Sequence, residues 1–401
     1  MKILVISEEN IYDRKGSYNA FVGRTKHLKS ICDSKIDVLL LSTYEPFYIR
    51  WLRGTQKHAR PAYFEDNGLT MKLAWNIFSL IDYLLEVKLH KSSFFRRRYY
   101  QKLVKRLSGY DLIIAHSFNC GMIAKQVKQT YGTPYTVTWH GSDIHTSPFV
   151  NESRRKTTIE IIEDADVNLF VSEALLTTSD KLTLKGRKEV LYNGHDERFF
   201  RYSDEERVSL RNSFSLGDKK VVVFVGNFFP VKNILEVPRI FRSVYSKFRN
   251  VEFWMVGDGK LRNQVEELSE GLPIRFWGNQ SPQKIPDFLN ASDVLILPSK
   301  NEGLPLSVVE GLACGCNVVG SMVGGIPEVI GKENCIELSE PLFAERFAEK
   351  VVKYLIADKH IPQPLNKEFF WDSTAKKELA IIDSIFLISK INKSLYSYGR
   401  Y

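Results

Sequence analysis

Two short apolar runs restrict what this 401-residue chain can fold into. Residues 2–7, KILVIS, and residues 220–226, KVVVFVG, each read as a buried strand, and each opens an alternation of strand-length apolar runs with helical stretches. In the first half the spacing predicts a loop at 8–17 ending in Gly16, a helix at 19–30 and a strand at 36–41. An aromatic, Pro-containing, irregular region follows at 44–70, then helical patterns at 72–90 and 94–107. Strands at 111–116 and 134–139, a helix at 152–164, and strands at 166–171 and 189–192 complete it. In the second half a helix at 232–247 leads to strands at 251–257, 274–277 and 293–298, with helices between them. Such alternation makes parallel strands joined by helical crossovers, so the fold class is α/β with two doubly wound parallel sheets. The length suits two cores better than one. The polar, charged stretch 193–217 is the natural connection, assigning residues 1–203 to one domain and 204–371 to the other. The amphipathic stretch 372–392 begins a terminal helix, about 372–401, long enough to cross back to the first domain.

Apolar residues make up 44% and charged residues 26%, which excludes disordered and fibrous classes. The net charge of +9 sits entirely in residues 1–203, which hold 31 of the 56 Lys+Arg and 22 of the 47 Asp+Glu. Its densest part is 87–107, with eight Lys/Arg, no acid, and Phe94, Phe95, Tyr99 and Tyr100 interleaved. That composition suits an anionic lipid surface. No recognised nucleic-acid module accompanies it, so nucleic acid is not an expected partner. Five cysteines without C-x-x-C spacing point to free thiols, and Cys314 and Cys316 read as small buried residues rather than metal ligands. The start reads as a strand rather than a signal peptide, and the longest apolar segment, 73–87, is broken by Asn76 and Asp82. The expected location is therefore cytoplasmic, with any membrane contact peripheral.

Chemistry concentrates in residues 299–330, SKNEGLPLSVVEGLACGCNVVGSMVGGIPEVI. Pro305 can begin a helix and Gly315 can end it, so a short helix spans 305–314. Free N–H groups of Leu306, Ser307 and Val308 at its start, with the positive end of the helix dipole, form an anion site. Glu302 lies in the loop before the helix and Glu310 on it. Two carboxylates that can each accept hydrogen bonds from a vicinal diol thus flank a phosphate site. In open α/β sheets ligands bind beyond the carboxyl ends of the strands. Gly226-Asn227, Gly257-Asp258-Gly259, Gly278-Asn279-Gln280 and residues 299–302 are four such strand ends. Lys232 is a candidate phosphate clamp, and His140, ahead of Gly141-Ser142-Asp143, ends a strand of the first domain. Gly324-Gly325 fits either a ligand loop or a plain turn.

In order and spacing, the segments WHGSD (139–143), NGHDERFF (193–200), FVGNFFPVKN (224–233), MVGDG (255–259), ASDVLILPS (291–299), EGLPLSVVEGLACG (302–315) and GGIPEVI (324–330) make the chain resemble a family 4 retaining glycosyltransferase of the GT-B architecture. The resemblance implies two facing Rossmann-like domains with the site in the cleft between them. It implies a hexosyltransferase that takes a hexose or N-acetylhexosamine from a nucleotide-sugar, UDP- before GDP-, to a lipid-linked saccharide or surface-polysaccharide precursor. The nucleotide-sugar is a co-substrate, and neither a cofactor nor a metal is expected. Carried over by position, Glu302 holds the sugar hydroxyls and Glu310 the ribose diol. Gly303, Leu304, Pro305, Leu306 and Ser307 approach sugar and pyrophosphate, Lys232 neutralises the diphosphate, and His140 sits over the sugar. Gly278 and Asn279 meet the base, and Gly16, Asn227 and Gly257 complete the donor-binding set. Catalysis falls to His140, Glu302 and Lys232. The family's usual arginine five residues before the lysine is Asn227 here, and its paired glycines of the first loop are reduced to Gly16 beside Arg14 and Lys15. A catalytically weakened partner subunit and a nucleotide-sugar epimerase of the same fold are the alternatives.

Overall fold

A computed structural model describes residues 1–12, 16–89, 93–357 and 361–398, with side chains to Leu387. Arg14 and Lys15 of the first loop lie outside the described residues, as do positions 90–92 of the basic stretch and the last three residues of the expected terminal helix. The chain divides into two compact units. One comprises Met1–Val171, Leu175–Tyr192 and the chain from Trp371 onward, and the other Ser172–Ala174 with Asn193–Phe370.

The first unit is built on eight strands: β1 (Lys2–Ser7), β2 (Lys35–Tyr44), β3 (Tyr63–Asp66), β4 (Leu69–Ile77), β5 (Leu112–His116), β6 (Tyr135–Trp139), β7 (Val167–Phe170) and β8 (Lys188–Val190). Their order is β3-β4-β2-β1-β5-β6-β7-β8, parallel except for the β3–β4 pair. The second unit carries β9 (Lys220–Val225), β10 (Val251–Val256), β11 (Ile274–Gly278), β12 (Val294–Leu297), β13 (Asn317–Ser321) and β14 (Cys335–Ile336) in the order β11-β10-β9-β12-β13-β14, all parallel. Every residue of β10, β12 and β13 is buried, as expected for parallel strands covered on both faces. In each sheet the strand order reverses beside the opening strand, between β1 and β5 and between β9 and β12. Those are the topological switch points where open sheets leave a crevice.

Three sequence expectations change. Region 44–70 is not irregular: it contains a helix, Phe47–Arg53, and a hairpin closed by Asn67 (φ 48°) and Gly68 (φ 76°). An Asn-Gly pair between β-prone runs is a hairpin signal, and here it is one. Nor is 72–90 one helix. Its first part is β4, paired with β2 from Leu39↔Lys72 to Tyr44↔Ile77, and only Leu80–Asp82 and a π-helical turn, Tyr83–Lys88, are helical. Buried Leu69, Met71 and Leu73 alternate with exposed Thr70 and Lys72, the period of a strand. Residues 193–203 group with the second unit. Tyr202 N–H donates to Asn290 Oδ1 and its hydroxyl to Asp287 Oδ1 (both 2.8 Å), while Arg207 pairs with Asp293 at 3.0 Å.

The helix Trp371–Tyr398 returns to the first unit, where it packs on helix Gly16–Ile31. Ile381, Ile382 and Ile385 join the core containing Phe21 and Leu28. Glu378 accepts two hydrogen bonds from Arg24 at 2.7 and 3.0 Å, both side chains being almost wholly buried.

Candidate functional site

In the second unit the loops after β9, β10, β11 and β12 are fastened to one another by backbone bonds. Gly226 N–H donates to Val256 O (3.0 Å), Gly257 N–H to Gly278 O (2.8 Å) and Phe228 N–H to Asp258 O (2.9 Å). A Cβ on Gly257 (φ 129°) would collide with the carbonyl of Gly226, so glycine is needed for this approach. Asn227 follows β9, and the 3-10 turn Pro230–Lys232 then delivers Lys232. Lys232 Nζ lies 2.7 Å from Glu302 Oε1, and Ser299 Oγ donates to that same oxygen at 2.6 Å. The Ser299 carbonyl in turn accepts from Ser321 Oγ. Lys232 and Glu302, read separately in the sequence, therefore form one charge pair at the β9/β12 switch point.

The helix of the long motif spans Leu306–Ala313. Pro305 (φ −74°, ψ 118°) precedes it instead of occupying its first turn, and Val308 N–H already donates to Pro305 O at 3.2 Å. Of the three N–H groups expected to face an anion, Leu306 and Ser307 remain. Gly303, Leu304 and Pro305 are buried beneath them, whereas Asn279 is exposed after Gly278 (φ 64°). Glu310 is half-buried, and burial pushes its carboxyl up to about 7. Arg198 pulls it down and Asp196 pushes it up. Arg198 is itself held by both oxygens of Asp196 at 2.8 Å. These two neighbours lie in the NGHDERFF segment but carry no role in the sequence reading. Gly324 (φ 51°) and Gly325 resolve differently from a simple turn. A Cβ on Gly324 would collide with the Glu302 carbonyl, and Gly325 N–H donates to Gly303 O at 2.8 Å. The pair is the seat of the Glu302 loop.

His140 and Gly16 belong to the first unit. His140 follows β6, and its N–H and that of Gly141 donate to the Asp143 carboxylate, the latter at 2.8 Å, which fixes the turn. Its Nε2 lies 3.0 Å from Nδ1 of His116, the last residue of β5, with the rings stacked at 5.3 Å. Burial, then the charge of Arg24, lowers the His140 pKa to about 3, and burial first, with His140 and Arg24, holds His116 well below its ordinary value. Both rings are neutral near pH 7, so the pair offers hydrogen bonds, not charge. His116 is a site candidate that the sequence reading passed over. Its signal is its place at the end of an apolar strand. Gly16 begins helix Gly16–Ile31, and among the described residues nothing lies within 4 Å of where a Cβ would be, so their packing does not require glycine there.

Residues 207–367, which carry all four loops of the second unit's sheet edge, match the family described as glycosyl transferases, group 1. The match assigns that region, most of the second unit, to the group 1 glycosyltransferases. The chain is 29% identical over 246 residues, 61% of each chain, to a protein of Bacillus subtilis (strain 168) named as a teichuronic acid biosynthesis glycosyltransferase, TuaC. It is 30% identical over 221 residues to the N-acetyl-alpha-D-glucosaminyl L-malate synthase of Bacillus anthracis, covering 53% of this chain and 55% of that one. The match thus spans little more than half the length of these relatives. Among solved structures, Anabaena HepE in complex with UDP superposes with a TM-score of 0.67 at 16% identity, covering 98% of this chain and 100% of that one. That likeness places the chain in the GT-B fold.

The chain has one more feature to account for, in its first unit. A cavity of about 420 Å³ is lined by Glu8, Glu45, Arg50, Arg53, His58 and Trp75 among others. Tyr12 closes one side, stacking on His58 at 4.2 Å and donating to Ala59 O at 2.8 Å. Aromatic walls with carboxylates and guanidinium groups suit a polar ligand with apolar faces, such as a saccharide. The 44–70 region, which the sequence leaves without structure, supplies half of this wall.

Proposed function

We propose that this protein is a retaining hexosyltransferase that moves a hexose or N-acetylhexosamine from a nucleotide-sugar, UDP- before GDP-, to a lipid-linked saccharide or surface-polysaccharide precursor. The observation that carries the proposal is the Lys232–Glu302 pair beside the Leu306 and Ser307 N–H groups, at the switch point of the second sheet. A cation and a helix start there can take a diphosphate, while a carboxylate next to them takes sugar hydroxyls. Glu310 fits the ribose diol. The likeness to a UDP-bound structure supports UDP, and the relative named for teichuronic acid biosynthesis supports a polysaccharide-directed acceptor.

In the proposed reaction the bond from the anomeric carbon to the diphosphate breaks. The acceptor hydroxyl oxygen attacks the same face, and the departing phosphate oxygen takes the hydroxyl proton. Lys232 and the two N–H groups stabilise the charge that develops on the leaving group. No metal or cofactor takes part, and the cavity lined by Arg50 and Trp75 is the acceptor site. The proposed location is cytoplasmic, peripheral on a membrane. Among the described residues no helix is long and apolar enough to cross one.

A screen of nucleotide-sugars for donor hydrolysis, repeated with Glu302→Ala and Lys232→Ala, tests the reading. Each variant should lose turnover by roughly 10²–10³-fold while remaining folded, and full turnover in both refutes the site. Asn227 motivates a second reading, a weakened partner subunit. Calorimetric titration with UDP and GDP separates the two, because absent binding of both favours the subunit.

A further inference from the structure

We propose that the first unit inserts an aromatic and aliphatic face into an anionic lipid surface, and that this face is made by three segments adjoining one another around Phe78. Helix Phe47–Arg53 turns only Ile49 inward, leaving Phe47 74%, Trp51 82% and Leu52 47% exposed. The segment from Ile77 to Leu89 exposes Leu80, Ile81 and Leu84, and the third helix, Phe94–Arg106, begins with Phe94 62% exposed and Phe95 beside it. Buried Phe78 ties them together. Its N–H donates to Tyr44 O at 2.9 Å, and the guanidinium groups of Arg53 and Arg96 each lie 5.9 Å from its ring.

The acids of this region turn inward, unlike those of an ordinary solvated surface. Asp82 is buried and accepts from Ser79 and Ser93, and Glu86 pairs with Arg96 at 3.1 Å. Those are the acids of the three segments. What remains outward is large and apolar, flanked by exposed Arg53, Lys88, Arg97, Arg98 and Lys102. Soluble surfaces seldom gather so many large apolar side chains, and a basic rim around Trp and Phe suits the boundary between anionic headgroups and acyl chains. The basic stretch alone would attract such a surface at a distance, whereas this face gives an attraction that salt does not screen. Tyr100, by contrast, is buried in the first unit and takes no part. Arg50 and Arg53 also line the 420 Å³ cavity, so docking would hold that cavity at headgroup level. That last consequence alone rests on reading the cavity as the acceptor site.

The test is sedimentation of the full chain with vesicles of phosphatidylcholine, with and without phosphatidylglycerol, at low and high salt. Neither donor nor turnover is needed, so its outcome is independent of the proposed reaction. Binding to the anionic vesicles should persist in part at high salt. A blue shift of tryptophan emission on binding should be diminished by Trp51→Phe. The triple variant Phe47→Ser, Trp51→Ser, Leu52→Ser should bind at least roughly tenfold more weakly, with unchanged thermal unfolding showing that it is folded. Failure to bind anionic vesicles overturns the proposal, as does binding abolished by salt with Trp51 emission unmoved. A wild-type dimer that the triple variant dissociates, with neither protein on vesicles, would make the face a protein interface and overturn it too.

Discussion

Glu310 has an ordinary carboxyl pKa of 4.5 in the unfolded chain and about 7 in the folded one. Because the folded value is raised, the protonated form is the one that folding favours, and this group's contribution to stability falls as pH rises from about 4.5 through 7. The proposed donor binding runs the other way, since only the carboxylate accepts from both hydroxyls of a diol. The donor KM should therefore rise as pH falls below about 7. Glu310→Gln should raise KM at pH 8 and flatten this dependence, which steady-state kinetics across pH will show. His140 and His116 contribute no limb near 6.5, because burial keeps both neutral there. The residue types were legible in the sequence: two glutamates around a helix start, a lysine and a strand-end histidine. Their states were not. The Lys232–Glu302 pairing, the Asp196–Arg198 neighbours of Glu310 and the contact of His140 with His116 join positions far apart in the chain.

At the scale of elements, the Glu302 loop rests on Gly324-Gly325, and helix Trp371–Tyr398 rests on helix Gly16–Ile31. Gly324→Ala adds a Cβ against the Glu302 carbonyl at a left-handed backbone, so the loop must shift. Turnover should drop by up to about 10²-fold, the scale of an ångström of misplacement. Thermal unfolding of the second unit should change far less than activity does. The Arg24–Glu378 pair is 1% and 2% exposed. Glu378→Ala leaves an uncompensated buried guanidinium and should destabilise the first unit by about 3–5 kcal/mol, measured by denaturant unfolding, whereas the double change Arg24→Met, Glu378→Leu should recover most of that loss. The parallel strands were readable because both faces of each are apolar. The stretch 72–90 hides a strand, β4, whose signal is local: buried Leu69, Met71 and Leu73 alternate with exposed Thr70 and Lys72 straight after the Asn67-Gly68 turn.

For the whole molecule, connectivity sets the order of loss. The chain leaves the first unit after Tyr192, builds the second, and returns at Trp371. Truncation after Phe370 removes Ile381, Ile382 and Ile385 from the first core together with the partner of Arg24. Calorimetry of the truncated chain should show the first unit's transition lost or sharply lowered while the second unit unfolds near its original temperature and still binds UDP. The sequence by itself determined the α/β class, two sheets, the strand-loop-helix of residues 299–330 and the returning helix. Each of these is written in a local period, a glycine or proline at a fixed offset, or a stretch long enough to be unambiguous. Only the tertiary structure decided which charges pair, which carboxyl keeps its proton near neutrality, and which aromatic side chains turn outward at residues 47–95. Burial and proximity are properties of packing between distant segments, and a linear spacing carries no measure of either.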